Sequence, residues 1–234
     1  MKVLVIIPAY NEQESIVAAV SSVVGAGYDY LVVNDGSRDA TLDICRSSGF
    51  NVLNLSENLG IGGAVQAGYK YALEAGYDVA VQFDGDGQHD AACIEQLVDG
   101  VVDGGDLVIG SRFLGGDNQF KSTFMRRVGI QWLSRVIRLF GGRVTDPTSG
   151  FRACNRKALQ LFCREYPIDY PEPESIVVAI GAGLSVGERP VVMHERQGGA
   201  SSIGISSSAY YMIKVTLAIA IEGVFGYFSK EKQW

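Results

Sequence analysis

Short runs of consecutive apolar, mostly β-branched residues recur through the first half of the chain: VLVIIP (3–8), YLVVND (30–35), NVLNL (51–55), DVAVQFD (78–84) and DLVIGS (106–111). They do not alternate apolar with polar, which marks strands buried on both faces, as in a parallel sheet covered by helices. Between them apolar residues fall at helical spacing: Ile16, Val20, Val23 and Val24, then Leu42 and Cys45, then Ala64, Ala67, Tyr71 and Ala72. Repeated units of this kind predict an α/β fold with a mostly parallel central sheet. Farther along, Phe124, Val128, Trp132, Val136 and Leu139 or Phe140 form one stripe of a helix within residues 120–143. A second, more apolar helix is expected in the tail at 203–234.

In such sheets ligands sit beyond the carboxyl ends of the strands. Those ends read Pro8-Ala9-Tyr10-Asn11-Glu12, Asn34-Asp35-Gly36-Ser37, Asp84-Gly85-Asp86-Gly87-Gln88-His89 and Gly110-Ser111-Arg112, so polar chemistry collects on one edge. Each also fits helix capping: Asn11 with Glu14, Ser37 with Asp39, and Asp90 before Ala91. A lone Asp-x-Asp triplet arises about once by chance in a chain this acidic, and it is its place after a buried strand that gives it weight. If that stretch stays extended, Asp84, Asp86 and Gln88 project to one side, an all-oxygen set suited to Mg²⁺ or Mn²⁺ with a substrate diphosphate. Gly85 and Gly87 then allow close backbone approach, or simply make a turn. Gly60-Ile61-Gly62-Gly63 reads either as a phosphate cradle or as helix packing.

Composition narrows the classes. With 234 residues, 47% hydrophobic and 20% charged, the chain suits a packed domain and excludes disulfide miniproteins and bulk disorder. The net charge of −6 argues against nucleic acid as a partner. Residues 120–143 nevertheless carry six basic side chains and no acidic one. Cys45, Cys93, Cys154 and Cys163 form no CxxC pair, which suits reduced thiols in the cytoplasm. The apolar start at 3–7 is broken by Pro8 and the polar run to Glu14, so it reads as a first strand and not as a targeting segment.

Seven blocks in order, IIPAYNE (6–12), VVNDGSRDAT (32–41), NLGIGGA (58–64), QFDGDGQHD (82–90), IGSR (109–112), DPTSGFRA (146–153) and ERQGGASS (195–202), resemble the family 2 glycosyltransferases of the GT-A fold, nearest the polyprenyl-phosphate (dolichol-phosphate-type) sugar synthases. The resemblance implies a Rossmann-like nucleotide-sugar domain over residues 1–202, with a donor half to about 112, an acceptor half from 113, and a helical extension at 203–234. It implies that Pro8, Tyr10, Glu12 and Asp35 hold the nucleoside, that Asp84 and Gly85 meet the nucleotide or sugar, and that Asp86 and Gln88 bind the metal. Arg112 would face the phosphates or donor sugar, Asp146 and Ser149 to Arg152 would belong to the acceptor side, and Arg196 would clamp phosphate. Asn34-Asp35 stands where many relatives have two acidic residues, and Ser202 where polyprenyl-phosphate synthases usually carry a lysine.

Two acceptors stay open, a polyprenyl phosphate or the hydroxyl of a glycan in surface polysaccharide synthesis. A phosphate is already an anion, whereas a hydroxyl needs a base, for which Glu174 or Glu172 is the candidate; Glu174 also fits the first turn of a helix after Pro173. Lys121, Arg126, Arg127, Arg135 and Arg138 around the apolar stripe suggest a helix lying on an anionic membrane surface, and the tail a helix docking on lipid or on an integral membrane partner; a core helix with solvated arginines is the other reading. The expected location is cytoplasmic, peripheral at the inner face of the cell membrane, with homo-oligomerisation left open. A nucleotidyltransferase and a non-catalytic nucleotide-sugar sensor are the remaining rivals.

Overall fold

The computed structural model describes residues 1–114, 124–193 and 205–231. Strands β1 (Val3–Ala9), β2 (Asp29–Asn34), β3 (Val52–Asn54), β4 (Val79–Gln82), β5 (Leu107–Ser111), β6 (Arg152–Asn155) and β7 (Val186–Pro190) form one sheet in the order β3-β2-β1-β4-β6-β5-β7. Every pairing is parallel except those of β6, which runs antiparallel to β4 and β5. The five apolar runs are thus strands, and the sheet is mostly parallel as the unbroken hydrophobic pattern requires. β6 and β7 were not anticipated, because their RACN and VGERP sequences carry charge and lack an apolar run.

Helices α1 (Ile16–Gly25), α2 (Thr41–Ser47) and α4 (Ile94–Val102) cover one face. Helices α3 (Gly60–Glu74), α5 (Phe124–Leu139), α6 (Arg156–Arg164), α7 (Pro171–Gly181) and α8 (Ile205–Glu231) lie on the other. The side-chain alternation of β1 serves both layers: Leu4 and Ile6 enter the core beneath α3, and Val5, Ile7 and Ala9 the core beneath α1 and α4. On α3 the buried stripe lies beside the expected one, with Val65 and Tyr69 in the core and Tyr71 exposed. Tyr69 stacks on Phe162 of α6 and meets Tyr166 edge-on. Val24 of α1 likewise faces solvent.

The expected stripe of α5 points mostly outward. Ile130, Leu133 and Ile137 bury, whereas Met125 is 76% and Leu139 82% exposed, with Val128 and Trp132 beside them. α8 buries Val215 and Ile219 and leans on α5, where Trp132 Nε1 donates to Thr216 Oγ1 at 3.0 Å. Its outer side presents Ile213, Leu217 and Ile221, so both helices carry exposed apolar side chains. No helix among the described residues is long and apolar enough to cross a membrane.

The close seating of α3 on β1 depends on Gly68, where an added Cβ would overlap the Ile6 side chain. Gly68→Ala should therefore lower the unfolding free energy by about 1–3 kcal/mol through overpacking, read as a lower urea midpoint. An unchanged midpoint would mean the helix can lift off the sheet at no cost.

Candidate active site

The carboxyl ends of β1 and β2 are tied together by the polar residues of their loops. Asn11 adopts left-handed backbone (φ 57°), its N–H donates to Ser37 Oγ at 3.0 Å and its Oδ1 accepts from Arg38 N at 2.8 Å. Glu12 N donates to Thr41 Oγ1 at 2.8 Å, and Gln13 N to Asp39 Oδ2 at 3.2 Å. These bonds join two loops instead of capping α1. Asp90 does cap, accepting from Ala92 N at 2.9 Å. Asp35 is buried at the end of β2, and its Oδ1 accepts the Leu59 N–H at 2.7 Å. Pro8 is buried beside it, Glu12 accepts from Ser15 Oγ at 2.7 Å, and Tyr10 stands exposed at the rim. Pro8, Tyr10, Glu12 and Asp35 therefore sit on two adjacent strand ends held in fixed relation.

Beyond β4 the chain does not stay extended. It turns through Gly85–Gly87, with Gly87 at φ 75°, and Gln88 N donates to Asp86 Oδ1 at 3.1 Å. This local closure by an aspartate side chain competes with strand geometry and wins, so the same-side projection of Asp84, Asp86 and Gln88 expected from a strand does not apply. Gly85 is buried against β1, where a Cβ would come 3.2 Å from Pro8 O, so the turn packs close to the first strand end. Asp84 is held from below: its backbone N donates to His89 Nδ1 at 3.0 Å, and its Oδ1 accepts from Gln82 Nε2 at 3.4 Å. Among the described residues no three His, Cys, Asp or Glu side chains cluster as a metal cage. The donor set still suits a hard divalent ion, since Asp84 and Asp86 are half-buried oxygen donors and such ions take further ligands from water and phosphate. Gln82 Oε1 is a buried acceptor without a hydrogen-bond partner beside this carboxylate.

At the end of β5, Arg112 makes a bidentate pair with Asp146, Nε to Oδ2 and Nη2 to Oδ1 both at 2.6 Å, and Nη2 also donates to Thr148 Oγ1 at 2.9 Å. Arg112 is thus held by Asp146 and does not project alone toward a ligand. Glu188 on β7 fixes the Asp146 loop, accepting from Thr145 N at 2.8 Å and Asp146 N at 2.9 Å. Arg152, expected on the acceptor side, is wholly buried. It donates from Nε to Ser149 O at 3.1 Å and from Nη1 to Glu172 O at 3.0 Å and Ser175 Oγ at 2.8 Å. Its task is to join β6 to the first turn of α7. Gly62 of the glycine-rich segment packs against the backbone at Pro167 and Ile168, the packing alternative and not a cradle.

α7 starts at Pro171, so Glu172 and Glu174 both lie in its first turn. They differ in surroundings. Burial raises the Glu172 carboxyl, with the Arg152 charge opposing and the Asp84 charge adding a smaller upward push. Glu174 feels Glu222, Asp169 and Lys214 and belongs to the junction with α8. Arg126 on α5 has its pKa lowered by burial and then by the Arg112 charge, with Asp146 opposing. Arg126 was expected only on a membrane-surface helix, and Glu188 and His89 had no expected role; for Glu188 no signal exists, and His89 lay in plain view next to Gln88. Arg196 and Ser202 lie outside the described residues.

The mostly parallel sheet with helices on both faces and its polar strand ends is an α/β architecture of the GT-A type. Glucosyl-3-phosphoglycerate synthase from Mycobacterium tuberculosis, solved with Mn²⁺, UDP and phosphoglyceric acid, shares this fold with a TM-score of 0.73 at 18% identity, over 95% of this chain and 78% of that one. The chain belongs to glycosyl transferase family 2, whose model matches residues 4–162, and it is a glycosyltransferase. It is 32% identical over 233 residues to the polyprenol monophosphomannose synthase of Mycolicibacterium smegmatis, covering 92% of this chain and 85% of that one. It is 36% identical over 169 residues to the undecaprenyl-phosphate mannosyltransferase of Micrococcus luteus, covering 68% and 69%.

Burial first, and then Glu222, Asp169 and Glu172, push Glu174 up to about 7 from 4.5. The folded chain holds that proton more tightly than the unfolded one. Its contribution to stability is full below about pH 4.5 and is lost as pH rises through about 7. Glu174→Gln should flatten this part of the curve and stabilise the protein at about pH 8 by on the order of 1 kcal/mol, reduced because the side chain is half in water. Denaturation across that pH range checks it; an unchanged slope would place Glu174 outside the α7–α8 junction.

Proposed function

We propose that this enzyme transfers a sugar, with inversion, from a nucleotide-sugar to a polyprenyl phosphate at a membrane surface. The observation that carries this reading is the position of α5. It carries Arg126, whose charge feels both Arg112 and Asp146, and presents Met125, Trp132 and Leu139 to the outside. An acceptor with an anionic head and an apolar tail needs just such a junction of a basic site with an apolar exterior. The two relatives named for polyprenyl and undecaprenyl phosphate support it.

On the donor side, Pro8, Tyr10, Glu12 and Asp35 would hold the nucleoside, and Asp84 with Gly85 would meet the nucleotide or sugar. Asp86 and Gln88 would hold Mg²⁺ or Mn²⁺, the chemistry of which is to neutralise charge on the departing diphosphate. Arg112, fixed by Asp146, adds an oriented positive charge at the same edge, and Arg196 would complete the clamp. The acceptor phosphate would attack without a protein base.

Glu172 supports a second reading. Its carboxyl, raised by burial, suits a general base for a hydroxyl acceptor. Mn²⁺-dependent assays with polyprenyl phosphate should release nucleoside diphosphate, not pyrophosphate, and Glu172→Gln should retain activity within several-fold. A loss of about 10²–10⁴ in kcat without unfolding would transfer the assignment to a hydroxyl acceptor.

The exposed apolar side chains of α5 and α8, together with exposed Arg127, Arg135 and Arg138, would rest on anionic lipid. Each arginine contributes about 1 kcal/mol at such a surface, so reversing all three to glutamate should weaken flotation with phosphatidylglycerol vesicles by at least about 10²-fold, and salt should weaken the parent's binding. Equal binding by the reversed variant would remove lipid as the surface these helices meet.

A further inference from the structure

We infer that His89 is a positioning residue that, with Gln82, fixes the carboxylate of Asp84 toward the nucleotide-sugar, an inference resting on the donor-site reading above. His89 is 6% exposed and lies parallel to the Phe151 ring at 4.6 Å, with Phe83 edge-on at 5.4 Å. Phe151 belongs to the loop entering β6, so the imidazole is wedged between the β4 and β6 sides of the site. Its two ring nitrogens face one residue. Nδ1 accepts the Asp84 N–H at 3.0 Å, and Nε2 lies 3.5 Å from Asp84 Oδ2. Because Nδ1 accepts, the single proton of the neutral ring sits on Nε2, toward the carboxylate.

On the other oxygen, Gln82 Nε2 donates to Oδ1 at 3.4 Å, and Gly150 closes the remaining side, where a Cβ would come 3.0 Å from Oδ2 and from Gln82 Nε2. Every donor in this cradle is uncharged. A lysine or arginine in place of His89 would also orient Asp84, but it would cancel the negative charge needed by a cation or sugar hydroxyl. Neutral donors orient the carboxylate and leave its charge available.

The test uses the full chain with Mn²⁺ and whichever of UDP or GDP binds it. His89→Phe keeps the ring packing and removes both polar contacts, whereas His89→Asn can restore an acceptor for the Asp84 N–H. Loss of such a supporting contact typically costs about 10–100-fold in affinity or activity, so His89→Phe should lose that much while keeping its fold by circular dichroism. His89→Asn should recover most of it. Equal binding by His89→Phe and the parent, or equal losses in both variants, would overturn the assignment. Asp84→Asn separates the two readings: if it binds the nucleotide like the parent, the donor-site role of Asp84 fails, whatever His89 does. Nitrogen-15 NMR of the imidazole is independent of any ligand. It should report a proton on Nε2 at neutral pH, and a proton on Nδ1 would refute the geometry.

Discussion

The buried pair of Arg112 and Asp146 is the interaction on which the β5–β6 edge of the sheet depends. Both side chains are removed from water, and desolvation of two charges is compensated only by good geometry and full hydrogen bonding. The structure supplies both, with two parallel 2.6 Å contacts, a third bond from the Arg112 backbone N to Asp146 Oδ2 at 3.1 Å, and Thr148 on the outer nitrogen. Removing either partner would leave the other charge buried, at a cost of about 3–5 kcal/mol. The pair therefore fixes the end of β5 to the segment leading into β6, and through Glu188 it reaches β7 as well.

The rest of the edge follows the same logic on a smaller scale. Asn11, Ser37, Asp39 and Thr41 cross-link the first two strand ends, and Arg152 ties β6 to α7. Much of what the sequence blocks contain is consequently scaffold. Asp35 is buried against the Leu59 N–H, whereas Tyr10 is exposed and Asp84 and Asp86 are half-buried at the same edge. Side chains fixed in advance need no reorganisation when charge develops beside them.

How much of this could be read from residues alone depended on the kind of force involved. Parallel strands buried on both faces leave an unbroken apolar run, so β1, β2, β4 and β5 were plain. β6 and β7 were hidden by Arg152, Glu188 and Arg189, charged residues whose partners come from distant segments and leave no local period. Helical spacing located α3 and α5 but misplaced their faces: Tyr69 and Tyr71 are equally apolar, and only contact with Phe162 decides which is buried. On α5 the expected stripe is exposed at Val128, Trp132 and Leu139 and buried at Val136, because apolar composition alone does not say which side of a helix meets the core. The strand-end acids were legible by position, but their geometry was not, since a hydrogen bond from Gln88 to Asp86 turned the chain.

The central claim is that the Asp84–Asp86 turn and the adjacent ends of β1 and β2 form one donor site. A crystal structure with Mn²⁺ and a nucleoside diphosphate tests this most directly. The account predicts the nucleoside against Pro8 and Asp35, and the metal on the acidic turn bridging to the diphosphate. A diphosphate bound elsewhere, or a metal held by side chains outside the turn, would contradict it.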